Sequence, residues 1–462
     1  MRVLTLDDDR LLPPDPGVRG VAREIYAAVR ALPIVSMHGH VDAALLAHNL
    51  PFPDPAQLLV VPDHYVTRML VSQGETLDQL VTGDPREIWR RFCAGWHLFR
   101  GTPSRLWLEH ELVAVFGLDV TPSAESADLL YDELSATLRR PAFRPRALFE
   151  RFELELLATT DSPLSDLAEH LSIIESGWPG VVVPTFRPDA LVQINHPDWQ
   201  ADIERLADIS GIPTGTYPGY IAALEQRRHH FLRHGARATD HGVFSAGTEP
   251  LDAGAASRIY QSALRGRLTP EQCDAFSAHM MFEMARMSRD DGLVMQIHPG
   301  VLRNHDPAIQ EAFGADRGFD IPVPVDFVHG LRPLLNAFGQ DPQFRCIVFT
   351  IDETTYSREL APLAGAYPSL RLGAPWWFLD SPAAMRRFRE AVTETAGFYN
   401  TSGFVDDTRA FCSIPARHDV ARRVDSGYLA ELVVRGQLGL DEATETAIDL
   451  TVTLPRLAYA QR

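Results

Sequence analysis

Two histidines, His38 and His40, stand one residue apart in the stretch PIVSMHGHVD, at the end of a short apolar run. Side chains alternate across an extended strand, so on a strand both imidazoles face the same way. A pair of neutral imidazoles suits a divalent transition metal, but two ligands are too few for a stable site. A polar turn after a strand would use the same residues. His298, after the apolar LVMQI, has the position of a third ligand, and FVDDTRAF offers a carboxylate. Asp406 and Asp407 are adjacent, so on a strand only one of them shares a face with Arg409, and the two-residue offset selects Asp407. A carboxylate beside a guanidinium there could hold metal or move a proton next to an anion-binding group. The same spacing also describes a surface Asp–Arg pair.

Other polar residues follow apolar runs in the same manner. Arg187, in VVPTFRPD, has a planar guanidinium matched to a carboxylate or phosphate, or to an ion pair with Asp189. PDHYVTRML provides His64, Tyr65 and Arg68, and the first two can donate to a carbonyl or hydroxyl oxygen or serve packing. Trp376 and Trp377, in PWWF, could lie against a sugar face or fill a core. Asp161, Asp240, His241 and Asp352 complete the polar residues at the ends of such runs.

These residues need a scaffold that makes them converge. Eight short apolar runs read as buried parallel strands: PIVSMHGH from Pro33, LELLATTDSP from Leu154, GVVVPTFRPD from Gly180, GARATDHG from Gly235, GLVMQIHPG from Gly292, FRCIVFTIDE from Phe344, LRLGAPWWF from Leu370 and SGFVDDTRAF from Ser402. The fourth has the least apolar content. Most are followed by helical patterns. SPLSDLAEHLSIIES and SPAAMRRFREAVTETAG both read as helices opened by a serine cap and a first-turn proline, at Ser162–Pro163 and Ser381–Pro382, the second ending at Gly397. The alternation predicts an α/β fold, a (β/α)8 barrel over residues 1–462, with the polar run ends gathered at its C-terminal face. Residues 43–152 are read as a mostly helical insertion near the barrel mouth, with its Trp and Phe residues forming its own core.

Composition narrows the function. The 462 residues carry a formal charge of −18, which argues against wrapping nucleic acid or lying on an anionic membrane. A small anionic substrate would need cationic groups close by to overcome that field. All 43 basic residues are arginine, so no Schiff-base lysine, P-loop lysine or carbamylated bridging lysine exists. Cys93, Cys273, Cys346 and Cys412 are dispersed, which reads as free thiols in a reducing compartment. The start of the sequence lacks the apolar core of a secretory signal, and no apolar stretch spans a membrane, so the expected location is the cytoplasm. A homo-oligomer is compatible with the sequence.

The ordered set HGH, PDHY, TTDSP, VPTFRPD, MQIHPGVLRN, WWF and DDTR resembles the uronate isomerase (glucuronate isomerase) family of the amidohydrolase superfamily, from about residue 33 to about residue 425. The resemblance implies a distorted (β/α)8 barrel with one divalent metal, zinc, and interconversion of D-glucuronate with D-fructuronate and of D-galacturonate with D-tagaturonate. It implies His38, His40 and Asp407 as metal ligands, with Asp407 also moving a proton. It implies His64 and Tyr65 at the reacting carbons, Arg187, Arg409 and a tryptophan of the Trp376–Trp377 pair at the substrate, and His298 in the site as either a ligand or a substrate contact. Asp240 falls near a family aspartate. Three stretches depart from the family pattern: VTR after DHY, DDTR at the last motif and IDETTYSREL after the sixth run. They bear on the substrate more than on the fold. The competing reading is a mononuclear metal-dependent hydrolase of a small carboxylated substrate, which the histidines and Asp407 would serve equally. Arg187, Arg409 and the DHY pair together favour the isomerase. A sugar-acid binding protein on an inactive barrel is disfavoured, because the matched metal and acid–base positions carry competent residue types.

Overall fold

The computed structural model describes residues 2–460, and the chain is an α/β protein with parallel sheets. The parallel strands are short and mostly buried on both faces, and they read as the apolar runs that such burial demands. β1 (Ile34–Ser36), β2 (Leu154–Ala158) and β3 (Val182–Val183) pair in parallel in that order. β4 (Ala238–Val243), β5 (Val294–Pro299), β8 (Cys346–Val348) and β9 (Leu370–Leu372) form a second parallel group. β6 (Val301–Leu302) and β7 (Ile321–Pro322) make a small antiparallel pair beyond β5. Phe186 joins the two parallel groups, pairing with Asp161 on one side and Thr239 on the other, and Thr401 pairs with Leu372. The N–H of Asp407 donates to the carbonyl of His38 (3.1 Å), and that of His40 to the carbonyl of Thr408 (2.9 Å). One apolar cluster draws Val35, Leu156, Val183, Ala238, Val294 and Ile347 from six of the strands, and helices pack outside it.

Three expectations need correction. The eighth run forms no strand: Gly403 (φ 75°) and Asp407 (φ 41°) lie in the left-handed region, which extended pairing does not allow. His38 and His40 lie beyond the last residue of β1 rather than on it. The serine–proline pair at 162–163 opens a turn, and the helix spans Ala168–Glu175. The buried Arg227 explains the delay, because its Nε and Nη2 take the carbonyls of Pro163 (2.8 Å) and Ser165 (2.7 Å), which a helix would engage. The matching device at 381–382 behaves as read: Ser381 Oγ accepts from the N–H of Ala384, and the helix Pro382–Ala396 ends at Gly397 (φ 69°). The fourth run, poorest in apolar residues, gives a six-residue strand, because Thr239, Asp240 and His241 are buried with polar partners.

Between β1 and β2 the chain is largely helical, and Trp89, Phe92, Trp96 and Phe99 are buried in a core shared with Leu130 and Leu134. The four cysteines are free, and Cys93, Cys346 and Cys412 are buried. Among the described residues no helix is long and apolar enough to cross a membrane.

Burial, reinforced by His234, pushes His170 down to about 4. An unfolded chain would titrate it near the ordinary 6.5. A base with a depressed folded pKa leaves the unfolded chain with more protons between those values, so its contribution to stability falls as pH drops through that window. His170→Gln removes the term. The stability of this variant relative to the parent should therefore rise as pH falls from 7 to 4.5, read by paired thermal scans. A pH-independent difference would show that His170 is not held neutral.

Candidate active site

Beyond the C-terminal ends of the parallel strands lies a cavity of about 510 Å³, whose lining includes His40, Tyr65, Arg187, Trp377, Asp407 and Arg409. His38 and His40 converge on Asp407 from a bend, and His40 lines the cavity. His40 Nε2 lies 2.9 Å and His38 Nε2 3.4 Å from Oδ1 of Asp407. The left-handed turn at Asp407 aims its carboxylate at them, while the adjacent Asp406 points away to His418 (3.1 Å). The division between the two aspartates is the one read from spacing, reached through a kink instead of strand alternation. Burial alone would raise the pKa of Asp407, but His38 and His40 more than reverse this, so it is held ionised.

His298 stacks on His38 (4.7 Å between rings) and lies between Phe349 and Trp376. Ligand atoms of His38, His298 and Asp407 lie within 4.8 Å of one another, and His40 shares the same carboxylate oxygen. The Nδ1 of His298 is 2.7 Å from Asp240 Oδ1, which fixes the proton on that nitrogen and leaves a lone pair on Nε2. That Nε2 is buried with no hydrogen-bond partner. A carboxylate-backed imidazole with an orphaned second nitrogen is the arrangement that metal-binding histidines use, and the donor set fits a divalent ion.

Asp240 is nearly fully buried and also pairs with Arg187 Nη1 (3.2 Å). Burial would raise it, and Arg187, His298 and His38 hold it well below the usual carboxylate range. Arg187 makes its second pair with Asp189 (2.8 Å), whose oxygens accept the N–H of Gly242 (3.1 Å each). A Cβ on Gly242 would lie 2.6 Å from Arg187 Nη2 and 2.9 Å from Asp189 Oδ2, so the pair fits only against a glycine. Arg187 is therefore ion-paired to Asp189, and it also lines the cavity.

The helix His64–Val71 is capped by Asp63, which accepts the N–H of Tyr65 (2.8 Å), and brings His64 and Tyr65 to the cavity. Burial and the charge of Arg409 push His64 down to about 3, so it is neutral. Burial pushes the Tyr65 phenol up, against the pull of Arg417. Trp377 adopts φ 51° and turns its ring toward His64 (5.8 Å), and Trp376 packs on His298. Arg409 pairs with Asp316 (3.3 Å) from the segment between β6 and β7. Arg68 stacks on Phe378. Asp161, His241 and Asp352 are outside the cavity lining and bond Thr159, Thr239 and Thr354.

Sequence reasoning passed over Arg303, Asp316 and Arg417, all of which line the cavity, and named Asp189 only as a partner for Arg187. Arg303 sits inside the MQIHPGVLRN stretch, so a signal for it was present. Arg417 lies on the helix Ile414–Val434, almost wholly buried, with Nε donating to Ser413 (3.1 Å), Nη1 to Asp380 and its guanidinium 3.6 Å from the Trp107 ring centre. Nothing in a run of arginines distinguishes a buried one from a solvated one.

A glucuronate isomerase family model matches residues 18–452. The chain belongs to the uronate isomerase family. It is 56% identical over 459 residues to the uronate isomerase of Rhizorhabdus wittichii, covering 99% of this chain and 98% of that one. The crystal structure of the glucuronate isomerase from Caulobacter crescentus superposes with a TM-score of 0.98 at 50% identity, covering 100% of this chain and 98% of that one. That of the uronate isomerase from Thermotoga maritima gives 0.93 at 29%, covering 98% and 99%. Membership over nearly the whole chain decides for an isomerase of hexuronates against the hydrolase reading.

Asp240→Asn keeps an acceptor for His298 but removes the charge. The variant should hold a divalent metal roughly 10–100-fold more weakly, measured by chelator competition. Unchanged affinity would confine Asp240 to anchoring Arg187.

Proposed function

We propose that this cavity interconverts D-glucuronate with D-fructuronate and D-galacturonate with D-tagaturonate by proton transfer through a cis-enediol. The convergence of His38, His40 and His298 on the ionised Asp407, beside Arg187 and Arg409, carries this reading. His38, His40 and Asp407 would hold one zinc ion, with His298 beside them either as a further ligand or at the substrate. Once bound, the ion supplies Lewis-acid polarisation of substrate oxygens. Asp407 accepts the C2 proton of the open-chain aldehyde. The C2–H electron pair becomes the C1=C2 bond, and the C1 oxygen takes a proton from Tyr65. Return of a proton to C1 and loss of the C2 hydroxyl proton leave the ketone. Neutral His64 and Tyr65 can pass a proton between the two oxygens, while Arg409 and Arg187 stabilise carboxylate and enediolate charge. Trp376 and Trp377 wall the site against water.

The scaffold for this chemistry is a closed, distorted (β/α)8 barrel formed as one domain over residues 1–462. The bridges of Phe186 and Thr401 and the hydrogen bonds between residues 38–40 and 407–408 support closure. Residues 43–152 are its helical insertion, delivering His64 and Tyr65 from beside the mouth.

Turnover of either uronate, followed by proton NMR in heavy water with hydrolysis substrates alongside, tests the reading. Inertness toward both uronates would overturn it. Within that assay, Asp407→Asn should lose roughly 10²–10⁴-fold in rate. Asp406→Asn, which faces His418, should keep most activity, and the reverse ranking would move the proton-transfer role to Asp406.

A further inference from the structure

The segment between β6 and β7 runs out over the cavity and returns, and Arg303, Asn304, Ala315 and Asp316 from it line the cavity. Its tip is packed down. Gly318 has φ +86°, and a Cβ there would lie 2.9 Å from the Cβ of Arg68 and 3.2 Å from the carbonyl oxygen of His64. The tip thus rests on the helix that carries His64 and Tyr65. Asp316 adopts φ 61° between the left-handed Gly314 and Gly318, and this sharp path sets its carboxylate against Arg409.

Arg303 is fixed at one edge and open at the other. Its Nη1 donates to the buried Asp320 (3.1 Å), whose other oxygen accepts the N–H of Asn304 (2.7 Å). Its guanidinium lies 4.9 Å over the ring centre of Trp377. Stacking on an indole and one carboxylate contact fix the plane of a guanidinium. Nε and Nη2 make no hydrogen bond to any described residue, although the side chain borders the cavity. A residue that merely stapled the loop would need Nη1 alone.

We propose that Arg303 is a further substrate-binding residue, and that the segment 303–320 serves to deliver its free donor edge to an oxygen of the sugar acid. The proposal rests on the hexuronate reading of the cavity. Arg303 is the better placed of two guanidiniums on this side. Arg409 is held by the half-exposed Asp316, which a ligand could displace; Arg303 Nη1 also lies 3.9 Å from Asp316, but its short pair is with the buried Asp320, which leaves the free edge oriented before substrate arrives. Preorganised donors cost little further ordering on binding.

The test compares metal-loaded Arg303→Met with the parent on D-glucuronate and D-galacturonate. Loss of one charge-assisted hydrogen bond should raise KM roughly ten- to hundredfold. A substrate-binding role leaves kcat within about threefold. Metal content should match the parent. A parental KM, or a fall in kcat with KM unchanged, overturns the proposal. An independent arm avoids any folding defect of the variant. Galactarate, a six-carbon diacid that cannot isomerise, is titrated into the parent holoenzyme while amide hydrogen exchange is followed. Protection of residues 303–320 at saturating galactarate supports the proposal, and unchanged exchange there overturns it. This arm also separates the two readings, because galactarate binding does not depend on turnover of a uronate.

Discussion

The site depends on one buried carboxylate. Asp240 touches His298 with one oxygen and Arg187 with the other, and it lies on the strand that pairs with the strand bearing His298. Removing a charge from water costs several kcal/mol, and only close partners of opposite sign return it. Asp240 therefore holds its partners as much as they hold it. It sets the proton on His298 Nδ1 and positions Arg187, which in turn orders Asp189 against the glycine at 242. Any change that removes Arg187 leaves the buried Asp240 and the half-buried Asp189 without their guanidinium partner. A loss on the order of 3–5 kcal/mol then falls on the fold itself, and Arg187→Met is a poor probe of substrate binding alone.

Charge around the cavity follows from the composition. The chain carries −18 overall and builds every non-histidine cation from arginine. A guanidinium stays charged when buried and presents donors on two edges, so one edge can serve a structural carboxylate while the other stays open. Arg187, Arg303, Arg409 and Arg417 all border the cavity with at least one acidic partner each. The same pairing that keeps these arginines in place prevents the cavity from becoming a deep positive well, which would bind product as tightly as substrate.

The α/β class with parallel strands, and the convergence of His38, His40, His298 and Asp407, were legible in the sequence because buried parallel strands and their polar ends leave a plain pattern. Seven of the eight runs contain strand pairing at the places read. The GARATDHG run was the least convincing by hydropathy, yet it gave one of the longest strands. Its polar residues are buried because each finds a partner, which hydropathy does not encode. Hydropathy also failed for SGFVDDTRAF, where left-handed residues at 403 and 407 break the extended path. The turn at Ser162–Pro163 was equally invisible, since the arginine that claims its carbonyls lies more than sixty residues away. Local caps can be read from a few adjacent residues. A cap that competes with a distant side chain cannot.

The surroundings of Tyr65 show how the insertion and the strand ends act together. Its ring packs edge-on against Trp107, and Arg417 lies against both rings. Three carboxyl groups crowd around that one guanidinium. Burial raises Asp63, pushes Glu111 up to about 8 and Asp380 up to about 7, with Arg417 opposing the rise in each case. With Glu111 and Asp380 held near or above neutrality, this shell carries less negative charge at pH 7 than its composition suggests. Burial likewise keeps the phenol protonated, and Arg417 pulls in the other direction. The proposed role of Tyr65 needs this balance. A carbonyl oxygen that is becoming an enediol hydroxyl takes its proton from a neutral donor, and a phenolate would repel the developing charge. In the proposed role, Arg417 favours release of that proton and burial favours its return. In that proposal the helical stretch between β1 and β2 supplies the donor and its aromatic wall, and the helix Ile414–Val434 supplies the cation beside it.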